Sequence, residues 1–385
     1  MKLFLPSCFL IIIFFVPVLS QNTYNVVDFG AIDDGRSDAS EAFSRAWDHA
    51  CDDRFAAKIY VPPGRFLLHN ANFEGYCTSP SIEFWIEGTI IASSTYDDSN
   101  YWIFFYKVNN LSISGGTIDA RGHTLWDCKS KNNDCPFGPV SLVISNGYNI
   151  SINNLASKNS KFFHIMINNS EKVSIRNATI TAPEDSPNTD GIHTMDSNDL
   201  LITNSSIMTG DDCISISRGT TNLSIQNINC GPGHGISIGS LADVVNENPV
   251  ENISVSNIIF TGTSNGLRIK TFARPSNSYV SNIKFHQITM KDVNNPIIID
   301  QNYCPGHEDC PHENSGVKIT NVQYVDIKGT STNMEAVHFD CSLSNPCEQI
   351  LLKNVNLSSR SQPTHSFCSN AEVNTSGSVI PPTCL

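Results

Sequence analysis

The sequence predicts an all-β chain wound as a parallel β-helix, and three observations lead there. Asp190-Gly-Ile-His, Asp212-Cys-Ile-Ser and His234-Gly-Ile-Ser can be laid under one another, and the steps from Asp190 to Asp212 and from Asp212 to His234 are both 22 residues. A repeated step of that length reads as one turn of a solenoid. One phrase also recurs: Leu111-Ser-Ile-Ser-Gly, Ile150-Ser-Ile-Asn-Asn, Val173-Ser-Ile-Arg-Asn, Leu200-Leu-Ile-Thr-Asn, Leu223-Ser-Ile-Gln-Asn, Ile253-Ser-Val-Ser-Asn, Ile283-Lys-Phe-His-Gln, Val317-Lys-Ile-Thr-Asn and Ile350-Leu-Leu-Lys-Asn. After Pro62-Pro63-Gly64, short apolar runs punctuated by Gly, Asn, Ser and Asp continue to the end, with no second convincing helix.

The chain opens with Lys2, an uninterrupted apolar run from Phe9 to Val16, and Val18 and Ser20 at the positions a signal peptidase reads. Residues 1–20 therefore read as a secretory signal, too short and too near the terminus for a membrane anchor. No second long apolar run follows, so the mature chain, starting at Gln21, is expected to be soluble and extracellular. From Tyr24 the run Asn-Val-Val-Asp-Phe-Gly-Ala reads as a strand with a Gly exit. Asp38 to Cys51 then carries Ala42, Phe43, Ala46, Trp47 and Ala50 at helical spacing, with Ser37 or Asp38 as N-cap and Glu41 three residues beyond Asp38. One amphipathic helix ahead of many strands would cover the open end of a solenoid core.

In the recurring phrase the alternating aliphatics point inward, and the closing Asn or Gln can stack on its neighbours as an amide ladder. Variable spacing places insertions in loops on one side, the longest holding Cys128 to Cys135. No linker or charge run splits the chain, so residues 21–385 read as one domain of about nine or ten coils. A propeller or sandwich would need many tight Asn-Gly turns; Asn146-Gly147 and Asn265-Gly266 are the only such pairs.

The net charge is −13, and loss of Lys2 with the signal makes the mature chain one unit more acidic. That argues against nucleic acid as a partner, and any polyanionic substrate must meet a local island of positive charge. Of the thirteen cysteines Cys8 falls in the signal, and the remaining even number in a secreted chain indicates disulfides. Spacing pairs them in order: Cys51 with Cys77, Cys128 with Cys135, Cys213 with Cys230, Cys304 with Cys310, Cys341 with Cys347 and Cys368 with Cys384. No Cys-x-x-Cys or partnered His spacing points to a metal. Nine sequons, at Asn110, Asn149, Asn168, Asn177, Asn204, Asn222, Asn252, Asn356 and Asn374, fit glycosylated secretion, although the repeat itself wants Asn at several of them.

If each step is one coil, equivalent positions lie on neighbouring strands about 4.8 Å apart. Asp190, Asp211, Asp212, His234, Arg268 and Lys270 then share one patch, with Arg268 and Lys270 outward and Leu267 and Ile269 in the core. Three crowded carboxylates raise one another's pKa, so one of them is expected to hold a proton. A protonated acid beside ionised ones is what glycosidic hydrolysis needs, and the cations suit an anionic sugar. A lone Asp in such turns would be ordinary turn chemistry. His193 reads as a packed or surface histidine, and His307 and His312 as loop residues.

Asn188-Thr-Asp-Gly, Gly210-Asp-Asp, Gly233-His-Gly and Arg268-Ile-Lys, in this order, resemble the four signature motifs of the polygalacturonases of glycoside hydrolase family 28, in their plant form, and the likeness runs from about Tyr24 to the C-terminus. The resemblance implies a right-handed parallel β-helix that hydrolyses α-1,4-linked galacturonan with inversion, without metal or cofactor. Carried over by motif, Asp211 is the general acid, Asp190 and Asp212 activate the water, and His234 tunes the acid. Arg268 and Lys270 bind the galacturonate carboxylate, Asn188 of the first motif is a further substrate-binding residue, and Tyr303 corresponds to a sugar-contacting position or packs in the wall. Ser217-Arg218-Gly219, Ala120 and Ala242 depart from the family pattern and bear on subsite preference. The expected partner is pectic polysaccharide in the cell wall, with no membrane or nucleic acid; a monomer is expected, and an inhibitor protein is a candidate partner. A Ca²⁺-dependent lyase on the same fold, or a wall-binding β-helix without turnover, are the competing readings. Cleavage within the chain or from its end depends on loops at the groove ends, which the sequence leaves open.

Overall fold

The computed structural model describes residues 21–384 apart from 97, 132, 133, 308, 312, 360 and 361, and apart from the side chain of residue 307. The signal assigned to residues 1–20 and His312 lie outside the described residues. The chain winds as a right-handed parallel β-helix, every ladder parallel, with one sheet of nineteen strands and a second of eleven. The larger sheet begins as two side-by-side ladders that fuse at Asn198–Met208, which pairs with both Glu171–Arg176 and Thr179–Thr181. Beyond it each coil contributes one long bent strand, such as Val250–Thr261 and Tyr279–Val293.

The recurring phrase sets the register. Leu111, Ile150, Val173, Leu200, Leu223, Ile253 and Ile283 lie side by side in consecutive coils and are all buried. Each such aliphatic contributes about 1.5–3 kcal/mol by leaving water. One copy is corrected. Ile283 pairs with Val322, not Val317, so that coil's phrase is Val322-Gln-Tyr-Val-Asp326. Val317-Lys-Ile-Thr-Asn321 imitates the phrase five residues early, and its Asn321 belongs to a second ladder in front of the strands.

There are thus two amide ladders. At the closing bend Asn177 donates to Asn154 (3.1 Å), Asn227 to Asn204 (2.9 Å) and Asn257 to Asn227 (2.6 Å). At the opening bend Asn149 donates to Asn110 (2.7 Å), Asn252 to Asn222 (3.1 Å), Asn282 to Asn252 (3.1 Å) and Asn321 to Asn282 (2.7 Å). These residues have φ between 52° and 60°, the left-handed region that Asn tolerates better than most side chains.

Helix α1, Ser40–Cys51, plugs the N-terminal end. Its buried Phe43 packs 6.0 Å from Phe66, and Trp47 packs 5.2 Å from Phe73 and 5.6 Å from Phe105. It starts later than its sequence signals, because the Ala39 N–H is held by the Leu67 carbonyl at 2.8 Å. Asp38 accepts from the Ser40 N–H at 2.9 Å instead of capping deeper in the first turn. The strand expected from Tyr24 also differs: Gln21–Asn25 is the strand, and Val26–Phe29 forms a 3₁₀ turn closed by Gly30.

A second helix, α2 (His123–Ser130), corrects the expectation of only one. Only Leu125 and Trp126 are buried from it, so it carries no apolar stripe for sequence reading to find. The six expected disulfides are all present. No helix among the described residues is long and apolar enough to cross a membrane.

Candidate active site

Four consecutive strands of the eleven-stranded sheet build the site: Ile192–Met195, Ile214–Ile216, Ile236–Leu241 and Asn265–Thr271. Ile192, Ile214, Ile236 and Leu267 align in register and face the core, so Asp190, Asp212 and His234, each two residues earlier, stack at one bend. The next residue on each strand points outward, forming the column His193, Ser215, Ser237, Arg268. The bends pack backbone on backbone: a Cβ at Gly191 would meet the Cys213 carbonyl at 2.5 Å, and one at Gly235 the Asn265 carbonyl at 2.2 Å. Those contacts require glycine after Asp190 and after His234.

Asp212 is buried and tied on both oxygens. Arg268 Nη2 and Ser237 Oγ donate to Oδ1 at 2.7 Å each, and Lys270 Nζ donates to Oδ2 at 2.9 Å. Arg268 Nε also donates to Ser237 Oγ at 2.9 Å. Burial alone would raise this carboxyl, but the two cations overcome it and hold Asp212 down at about 2. In the same way burial would lower Arg268, and the Asp212 charge more than restores it.

Asp190 is also buried, but among the described residues its one hydrogen-bond donor is a hydroxyl: Ser215 Oγ donates to Oδ2 at 2.6 Å. His193 Nδ1 lies 2.7 Å from that hydroxyl and 3.9 Å from the carboxylate, so it reaches Asp190 through Ser215. Burial, backed by the charges of Asp211 and Asp212, pushes Asp190 above the usual carboxylate range. Of the crowded acids, this one gains proton affinity.

Asp211 is half-buried. Its Oδ1 lies 2.8 Å from His234 Nδ1 and accepts from the Asp212 N–H at 2.8 Å. Its Oδ2 has no partner among the described residues. The hydrogen bond to Asp211 raises His234 above the ordinary histidine range in spite of burial. The pair sits at the edge of the site.

Tyr303 lies over the cations, its ring 5.2 Å from Lys270 Nζ and 5.9 Å from the Arg268 guanidinium. Asn188 stands exposed with φ 57° and bonds to none of the acids. His193 is packed, its ring stacked 4.5 Å from Phe163, which in turn lies 3.9 Å from Phe162. Sequence reading assigned no part to Ser215, Ser237 or Phe163. The serines had a signal, since the alignment of the three motifs also aligns His193, Ser215 and Ser237.

One ligand atom each from Asp211, Asp212 and His234 lies within 4.8 Å of the others, a set with cation-binding chemistry. A cation there would have to sit beside Arg268 and Lys270, whose charges oppose it.

Crowded carboxylates beside two cations, on a parallel β-helix, suit the chemistry of a glycoside hydrolase. The chain belongs to glycosyl hydrolases family 28, whose profile matches residues 51–377. A second profile, rhamnogalacturonase A/epimerase, pectate lyase-like, matches residues 23–78. The chain is 46% identical to a polygalacturonase of Prunus persica over 98% of both chains, and 43% identical to polygalacturonase-2 of Solanum lycopersicum over 93% of this chain and 80% of that one. Its fold is similar to that of the endo-xylogalacturonan hydrolase of Aspergillus tubingensis, with TM-score 0.80 at 22% identity, covering 93% of this chain and all of the other.

Proposed function

We propose that this chain is a secreted hydrolase of α-1,4-galacturonosyl bonds in pectic galacturonan, acting by single-displacement inversion without a metal. One observation carries the substrate: Arg268 and Lys270 stand together in the site, with Asp212 as their one salt-bridge partner among the described residues, in an otherwise acidic protein. That is the local island an anionic sugar requires.

In this reading Asp211 protonates the leaving oxygen, drawing on the proton it shares with His234. Asp190 and Asp212 hold the attacking water between them. Asp190, with raised proton affinity, takes the water's proton as the new bond to the anomeric carbon forms and the glycosidic bond breaks. Asp212, held at about 2, is too weak a base for that transfer and acts as acceptor for the water and anchor for the cations. Tyr303 walls the carboxylate subsite. The signal-like residues 1–20 send the chain to the extracellular wall where such polymers lie.

The test is hydrolysis of de-esterified galacturonan by the secreted protein. Reducing ends should appear with the anomeric configuration inverted, insensitive to chelator, and Asp211→Asn should remove them with the fold intact. An unsaturated product, loss of activity on chelation, or an active Asp211→Asn variant would each sink a stated part of the reading. N-terminal sequencing of the secreted chain should begin at Gln21.

A further inference from the structure

We infer that His193 is a positioning residue for Asp190: it donates from Nδ1 to Ser215 Oγ and thereby commits the single hydroxyl hydrogen of Ser215 to Asp190 Oδ2. The inference rests on the reading of Asp190 as the base that takes the water's proton.

A serine hydroxyl has one hydrogen to give. Ser215 Oγ lies 2.6 Å from Asp190 Oδ2 and 2.7 Å from His193 Nδ1. If that hydrogen points at the carboxylate, the His193 nitrogen must carry its own, since two lone pairs would otherwise face each other. The neighbouring coil shows the same circuit with no ambiguity. Ser237 donates to Asp212, and the atom behind Ser237 is Arg268 Nε, which always bears a hydrogen. His193, one coil before Ser215, thus bonds to Ser215 as Arg268, one coil after Ser237, bonds to Ser237, in the same outward column.

The ring is held for this task. Phe163 stacks on it at 4.5 Å with only 13° between the planes. Asp190 from its own strand, Ser215 from the following coil, and Phe163 and Met166 from the preceding one face the imidazole. Asp211 and Asp212 act on Asp190 from its flank. With Oδ2 occupied by Ser215, Asp190 keeps Oδ1 for the water. A hydrogen bond donated to the ionised carboxylate also lowers its pKa, partly offsetting its burial. Losing that bond should therefore move the acid limb of activity to higher pH.

The experiment compares pH–rate profiles on galacturonan oligomers. His193→Phe keeps the stack on Phe163 and removes the donor. It should lower kcat about tenfold with little change in KM, and shift the acid limb upward. His193→Asn places an amide N–H near the position of Nδ1 and should restore the wild-type limb, which a purely structural role of the ring would not. Ser215→Ala should shift the limb as His193→Phe does, and serves in its place if that variant fails to fold. An unshifted limb in His193→Phe or Ser215→Ala, or an Asn variant that behaves like Phe, overturns the inference. Asp190→Asn is measured alongside. If it stays active, the reading of Asp190 as base falls and the inference with it; if it is inactive while His193→Phe matches wild type, only the inference falls.

Discussion

The coil that carries Asp190 and the coil that carries Asp212 are built to one plan and behave in opposite ways. Both acids occupy the same bend, both are buried, and both accept a hydrogen bond from the serine one coil further on, at 2.6 and 2.7 Å. They differ in what stands behind the serine. Asp212 has Arg268 and Lys270 within 2.9 Å and is driven down to about 2, whereas Asp190 is held by a serine hydroxyl with no Lys or Arg bonded to it and rises. The lesson is that the solenoid buries both positions, and charge from neighbouring coils decides which acid has the higher proton affinity.

The comparison breaks most severely if Asp212→Asn is harmless. That variant leaves two cations without their buried counter-charge, and should cost about 3–5 kcal/mol in denaturant unfolding as well as activity. Asp190→Asn keeps a partner for Ser215 and should unfold like wild type, while losing about 10²- to 10⁴-fold in kcat. Equal stability losses in the two variants would show that the ion pairs do not distinguish the coils.

Acidification sharpens the contrast. Asp212 contributes stability that is fully present above its unfolded value of 3.8 and is lost as pH falls through about 2. Asp190 has the opposite sign: its raised folded pKa means that ionising it costs stability as pH rises through that value. Activity should therefore fall first on acidification, as Asp190 protonates, with the fold still intact. Coincident loss of activity and of near-UV circular dichroism would contradict this order. On the alkaline side, the His234–Asp211 pair is fully stabilising below the ordinary histidine value of 6.5 and is lost as pH rises through the raised one. His234→Gln should accordingly alter the alkaline limb and leave the acid limb in place.

The smallest effect is reserved for positions outside both coils' chemistry. Asn257→Ala removes a 2.6 Å ladder bond and forces alanine to φ 53°, and should cost about 1–3 kcal/mol in stability with kcat unchanged. A change in kcat would mean that the ladder, and not the charges alone, sets the two acids apart.

Much of this was legible before any coordinates. The 22-residue step placed Asp190, Asp212 and His234 in phase because a parallel coil converts sequence period directly into spatial register. Strand parity placed Arg268 and Lys270 outward. That these cations would be spent on Asp212 was not legible, since parity gives a direction and not a partner. Helix α2 escaped because it packs by one tryptophan and one leucine. The Val317 phrase misled because Val-Lys-Ile-Thr-Asn satisfies the pattern without the register; only the pairing of Ile283 with Val322 separates copy from imitation. Ala242, which departs from the family pattern, adopts φ 67° and has its N–H held by Glu247 at 2.8 Å, so a side-chain bond secures a backbone shape that glycine would adopt freely.

The asparagine ladders have a direction. From Asn149 onward, each amide hands its hydrogen to the coil before it, and the first, Asn110, ends on the Pro80 carbonyl at 3.0 Å. A ribosome releases the amino-terminal coils first, so each turn that bears a ladder asparagine arrives carrying the donor and finds its acceptor already waiting. Assembly of the rod is in this respect a zipper that can close behind synthesis.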